Sequence, residues 1–123
     1  INTRGLRDVV KLAGATDNVL PYYQAADIFI MLSRGEAAPL APLEAMAVGL
    51  PLIVAQRRPF DEFVDSTFGV YVPTDQPAQV TDAINALLAD ATRRHKMGQA
   101  GRARVLAEFT WERICNQYLE ICK

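Results

Sequence analysis

Residues 27–55 read DIFIMLSRGEAAPLAPLEAMAVGLPLIVA, and this stretch decides the fold. It opens on a continuous apolar run, Asp27 to Leu32, and closes on a second, Pro51 to Ala55. Runs without polar alternation fit strands buried on both faces, as in a parallel sheet. Between them lie a loop, Ser33 to Leu40, and a helix, Ala41 to Val48. Pro39 pushes Ala38 toward extended backbone and has no N–H of its own. Pro42 suits the start of a helix and Gly49 its end. The unit is strand–loop–helix–strand, the repeating piece of a right-handed parallel crossover.

The same alternation extends both ways. Upstream, Val9 to Leu12 is a short β-branched apolar segment ended by Ala13-Gly14 and is expected to form a strand. Thr16, Asp17 and Asn18 offer side-chain oxygens for a helix start. Leu20, Tyr23 and Ala26 then share one face of a short helix, with Pro21 tolerated in its first turn. Downstream, Pro59 to Val64 reads as a short helix and Phe68 to Val72 as a strand closed by Pro73. Asp75 opens a helix in which Val80, Ile84, Leu87 and Leu88 fall at i, i+4, i+7 and i+8. Thr92 to Glu108 and Trp111 to Cys122 are two further helices, the second capped by Thr110 and striped by Ile114, Tyr118 and Ile121. The expected fold class is α/β, a parallel sheet of about four strands with flanking helices. Residues 1–123 form a single domain with terminal helices at 92–123. A doubly wound sheet usually holds more strands. The missing ones are expected before Ile1, and the open sheet edge is expected to favour self-association.

Bulk properties narrow the function. Half of the 123 residues are hydrophobic, 22% are charged, and the formal net charge is −1. No Lys/Arg block stands out, which argues against a nucleic-acid footprint and a polybasic membrane patch. No apolar run approaches the ~20 residues of a membrane span, and the opening INTRGLRD has no apolar stretch of signal-peptide type. Cys115 and Cys122 stand seven residues apart in one expected helix. Their Cα atoms would be ~10 Å apart, beyond the ~7 Å reach of a disulfide. They read as reduced core or near-core thiols in a cytosolic protein. His95 lies in a solvated Thr-Arg-Arg-His-Lys face, and no metal site is expected.

Glu36 and Glu44 stand eight positions apart in the central stretch. Ligands of open parallel sheets bind beyond the carboxyl ends of the strands, and the loop from Ser33 leaves such an end. The N–H groups of Leu40 and Ala41 lie near a helix start, where free donors and the helix dipole favour an anion such as a diphosphate. Glu44, about one turn inside that helix, can accept hydrogen bonds from vicinal hydroxyls. Glu36, in the loop, can face a sugar or a reacting carbon. Residue types alone leave two readings open. One is a ligand site; the other is a dipole-complementing glutamate beside a solvated loop residue. Tyr22, Tyr23 and Trp111 read as packing residues, and Arg102 and Arg104 as solvated. Arg57 and Arg58 read as a solvated pair or as contacts to a phosphate or acidic acceptor.

The stretch YYQAADIFIMLSRGEAAPLAPLEAMAVGLPLIVA resembles the retaining nucleotide-sugar glycosyltransferases called group 1, which have a GT-B fold. The resemblance rests on Glu36, Glu44, Ala45, Met46, Ala47, Gly49 and Pro51 at the family's spacing. It continues through Gly69, Val72, Pro73, Asp75 and Pro77. The ending GQAGRARVLAEFTWERICNQYL is similar to the family's terminal helices around Phe109, Thr110 and Trp111. The resemblance implies that the chain is a partial C-terminal, donor-binding Rossmann-like domain. Glu44 would hold the donor ribose hydroxyls, and Glu36 would be the catalytic residue near the donor sugar. Leu40 and Ala41 would offer backbone N–H groups to the diphosphate and sugar, with Ser33 and Gly35 at matching loop positions. The reaction implied is sugar transfer from a nucleotide diphosphate to an acceptor with retention, without metal or cofactor. An N-terminal acceptor domain of the same protein is the implied partner. The implied setting is cytoplasmic, with membrane-peripheral attachment open to the full-length protein.

Three departures stand out. Ala38-Pro39 replaces the family's Phe-Gly, so one backbone donor is lost. The Gly-Gly turn after Ala55 is replaced by Gln56-Arg57-Arg58-Pro59-Phe60. The family's upstream Arg and Lys find no match in Arg4, Arg7 or Lys11. The isolated chain is expected to be inactive. The alternative is a degenerate, non-catalytic member that serves as a binding or scaffold module.

Overall fold

Strand β2 (Leu52–Ala55) lies between β1 (Phe29–Met31) and β3 (Gly69–Val72) in a parallel sheet of order β1-β2-β3. The computed structural model describes residues 4–123. Phe29 pairs with Leu52 on one side of β2, and Leu52 pairs with Gly69 on the other. Side chains alternate across a strand. Leu52 and Val54 therefore enter a cluster with Met46, Phe60 and Phe68, while Ile53 enters one with Val72, Leu87 and Met97. Both faces of β2 are covered, which is why PLIVA contains no polar residue. β1 differs from expectation. It is an edge among the described strands, and Ile30 is 42% exposed.

The expected strand from Val9 to Leu12 is absent. Those residues form a turn and irregular chain, with Val9 75% and Leu12 83% exposed. The sheet therefore has three described strands rather than four. β-Branched residues mark a segment that fits a pleated surface, but a strand exists only where a neighbour offers hydrogen bonds.

Helix α1 (Leu20–Ala25) starts after Asn18, whose Oδ1 accepts the Leu20 N–H at 3.3 Å. Helix α2 (Leu40–Val48) crosses from β1 to β2 and ends at Gly49 with φ 87°. The Gly49 N–H bonds to Met46 O at 2.9 Å and the Leu50 N–H to Ala45 O at 3.0 Å, closing a Schellman turn. Helix α3 (Phe60–Phe63) and helix α4 (Pro77–Ala89) follow. α4 begins at Pro77, two residues after Asp75, and no side chain caps it. Leu87 is its buried residue, whereas Leu88, expected in the stripe, is exposed.

Helix α5 (Ala91–Glu108) packs on α2 through Gly98 and Gly101. Asp90 caps it by accepting the Arg93 N–H at 2.8 Å. Replacing Asp90 with alanine is expected to lower stability by about 1 kcal/mol, seen as a lower urea midpoint at unchanged slope. Arg102 is not a purely solvated residue. Its Nη1 donates to Ala47 O at 2.8 Å, meeting a carbonyl in the last turn of α2. Arg104 pairs with Glu108 at 2.6 Å.

Helix α6 (Trp111–Ile121) is capped as expected, by Thr110 Oγ1 accepting the Arg113 N–H at 3.4 Å. Its apolar stripe is largely uncovered. Trp111 is 82% exposed rather than packed on the domain, and Tyr118 and Ile121 are exposed too. Cys115 and Cys122 are free thiols, as expected, but exposed rather than near-core. No described helix is long and apolar enough to cross a membrane.

Candidate functional site

The start of α2 is chemically unusual. A helix leaves its first four N–H groups without intrahelical partners. Here Pro39 is the N-cap residue and no side chain caps the helix. Pro39 and Pro42 carry no N–H, so of those four positions only Leu40 and Ala41 keep a donor. Leu40 is exposed and Ala41 half-buried. These are the two backbone positions expected from sequence. The pair sits at the positive end of the α2 dipole.

Glu44 is the fifth residue of α2 and is exposed. Its Oε2 accepts the Tyr23 hydroxyl hydrogen at 2.9 Å. The same hydroxyl lies 3.5 Å from Ala41 O. Helical side chains lean toward the N-terminus, so the Glu44 carboxylate lies back along the turn that carries Ala41. Tyr22 is exposed rather than packed. Tyr23 does pack, half-buried against the Phe29 ring with centroids 6.0 Å apart. It also has a polar role that its helical spacing gave no reason to expect. Burial, then the hydrogen bond to Glu44 and that group's charge, push the phenol up to about 12. Tyr23 is therefore a protonated donor throughout the neutral range.

The loop between β1 and α2 carries the other expected residues. Ser33 is half-buried where the chain leaves β1, while Gly35 and Glu36 are exposed. A side chain at Gly35 would meet nothing within 4 Å. The Arg34 carbonyl accepts a hydrogen bond from Arg57 Nη1 at 2.7 Å. Arg57 thus holds the Glu36 loop to the turn after β2 through its backbone. Beyond the carboxyl ends of all three strands lies a 420 Å³ cavity lined by Arg34, Gln56, Arg57, Thr74 and Asp75. On the other side of the loop, a smaller crevice of 250 Å³ has Pro39, Leu43, Phe63 and Phe109 as apolar walls and Glu62 as its only carboxylate. Sequence reasoning did not single out Glu62, because its place beside the loop depends on how α3 folds back. Glu44 borders a separate groove of 390 Å³ along α1 and α2, with Arg102 farther along.

The arrangement offers an anion two backbone donors and a helix dipole, and offers a diol an oriented carboxylate. Residues 1–104 match the family described as glycosyl transferases group 1. The chain is 32% identical over 111 residues to the lipopolysaccharide core biosynthesis mannosyltransferase LpsB of Rhizobium meliloti, covering 88% of the chain and 32% of that protein. It is 33% identical over 113 residues to the alpha-maltose-1-phosphate synthase of Mycolicibacterium smegmatis, covering 86% of the chain and 29% of that protein. The chain thus spans about a third of the length of these curated relatives. Among solved structures, it matches the sucrose-phosphate synthase of Thermosynechococcus elongatus with a TM-score of 0.88 and 30% identity, over 98% of the chain and 31% of that one. It matches the C-terminal domain of a glycosyl transferase group 1 family protein, LpcC, of Francisella tularensis with a TM-score of 0.71 and 26% identity, over 83% of the chain and 53% of that one. With most of its length matched and its sheet and helices shared with those structures, the chain belongs to the glycosyl transferases group 1 family and has the α/β architecture of a GT-B C-terminal domain.

Proposed function

We propose that the protein transfers a sugar from a nucleoside-diphosphate donor to an acceptor with retention, and that this chain supplies the donor-binding side of the cleft. The observation that carries the reading is the start of α2. Among the described residues the N–H groups of Leu40 and Ala41 have no intrahelical partner, and farther into the same helix Tyr23 orients the Glu44 carboxylate. When the glycosidic bond to the diphosphate breaks, negative charge builds on the leaving group. Fixed donors and a helix dipole stabilise that charge without having to reorganise. Glu44 accepts hydrogen bonds from the ribose hydroxyls and fixes the nucleotide. Glu36, on the loop that Arg57 steadies, faces the sugar undergoing transfer. A cytoplasmic setting, with an acceptor domain from the same protein completing the cleft, belongs to the same proposal.

Calorimetric titration of the full-length protein with UDP-, GDP- and ADP-sugars tests it. Saturable binding of one donor class is expected, with transfer by the full-length protein and none above background by the 123-residue chain alone. Failure of every donor to bind would favour the non-catalytic module instead. Pro39 and the absent Gly-Gly turn after Ala55 are the observations behind that second reading, since Pro39 removes one backbone donor at the start of α2.

A further inference from the structure

We propose that Tyr23 is a positioning residue for the donor, its hydroxyl pinning one oxygen of Glu44 and leaving the other free for a ribose diol. The inference rests on the reading of Glu44 as the ribose ligand. An exposed glutamate has three rotatable side-chain bonds and ordinarily samples many rotamers. A ligand that needs one of them must order the side chain as it binds. In this chain the ordering is already done by a group on another helix. The Tyr23 hydroxyl reaches Glu44 Oε2 at 2.9 Å across 21 residues of sequence.

Tyr23 is itself a firm anchor. A phenol has only two side-chain torsions, and its ring is half-buried against Phe29. Its hydroxyl stands at the level of the first turn of α2, 3.5 Å from Ala41 O. The hydrogen bond thereby holds the carboxylate near the turn that carries Ala41 O rather than letting it swing out along the helix. An ionised carboxylate offers about four lone-pair sites. One hydrogen bond from Tyr23 leaves enough for two ribose hydroxyls. The raised phenol pKa keeps this donor protonated throughout the neutral range.

A merely structural tie between α1 and α2 would use the same hydrogen bond, so the test must separate the two. In the full-length protein, affinities are measured by calorimetry for UDP, GDP and ADP. The one that binds is then compared with its 2′,3′-dideoxy counterpart. Tyr23→Phe, which keeps the ring on Phe29, is expected to weaken the ribose form about fivefold and to change the dideoxy form by less than about twofold. On a Glu44→Ala background, Tyr23→Phe is expected to add nothing. Equal weakening of both forms, or no weakening of the ribose form, overturns the positioning role while leaving Glu44 as the ribose ligand. If Glu44→Ala itself leaves the ribose preference intact, the underlying reading falls and the inference with it. Tyr22→Phe, at an exposed neighbour, serves as the matched control and is expected to change neither affinity.

Discussion

Gly98→Ala is expected to destabilise the domain by about 3 kcal/mol, the upper end of what an overpacked contact usually costs. A Cβ at residue 98 would stand 1.9 Å from Gly49 O and 2.8 Å from Gly49 C. The obstacle is backbone, so no rotamer change relieves it. Nor can Gly49 readily give way. It holds φ 87° and closes the Schellman turn through which α2 passes into β2. Moving α5 away instead would stretch the Arg102–Ala47 bond and uncover Met46 and Phe68, which pack against Gly101. Domains have only about 5–15 kcal/mol of stability in total, so the loss should be plain in a urea titration. Gly101→Ala meets Phe68 Cβ at 3.3 Å and Met46 Cγ at 3.4 Å, both side-chain atoms, and should cost less. Gly35→Ala meets nothing and should be close to neutral. A Gly98→Ala protein as stable as the wild type would show that α5 does not seat on α2 in this way.

The glycine contact also shows what was legible in the chain before its structure. Two glycines in a helix interior, three residues apart, weaken the helix by about 1 kcal/mol each relative to alanine. The reason for that penalty in α5 lies outside the helix, because Gly98 faces Gly49 and Gly101 faces Met46 and Phe68, all far away in sequence. The central unit read well for the opposite reason. PLIVA is apolar on both faces because both faces are covered, and Gly49 and Pro42 mark helix ends by local geometry. Val9 to Leu12 is also rich in β-branched and apolar residues, with Lys11 among them, and forms no strand, since pairing is a tertiary fact that composition does not contain. The stripe on α6 predicted a helix correctly and predicted burial wrongly, because periodicity identifies a face without supplying its partner. At the site, Leu40 and Ala41 stood out because a helix start was expected beside them. Tyr23 did not, because it meets Glu44 only after α1 and α2 pack.

Glu44→Ala is expected to weaken the donor nucleotide about 100-fold in the full-length protein, or about 3 kcal/mol, the value of one or two hydrogen bonds to a charged acceptor. The loss should fall on dissociation constant and KM together, because ribose contacts are made equally in the ground state and the transition state. Glu36→Gln is expected to behave differently. A residue that faces the reacting sugar should lower kcat by a comparable factor while leaving nucleoside-diphosphate affinity nearly unchanged. Neither substitution should disturb folding, for both side chains are exposed. Removing Glu44 does leave the Tyr23 hydroxyl without its main acceptor, but that group is only half-buried and has Ala41 O at 3.5 Å. The contrast between the two acids is therefore the sharpest measurement on this site. If both variants lose affinity alike, Glu36 is a binding residue and the catalytic assignment is wrong. If neither does, the start of α2 is not where the nucleotide sits, and the cavity beyond the strand ends, between Arg57 and Asp75, becomes the place to look.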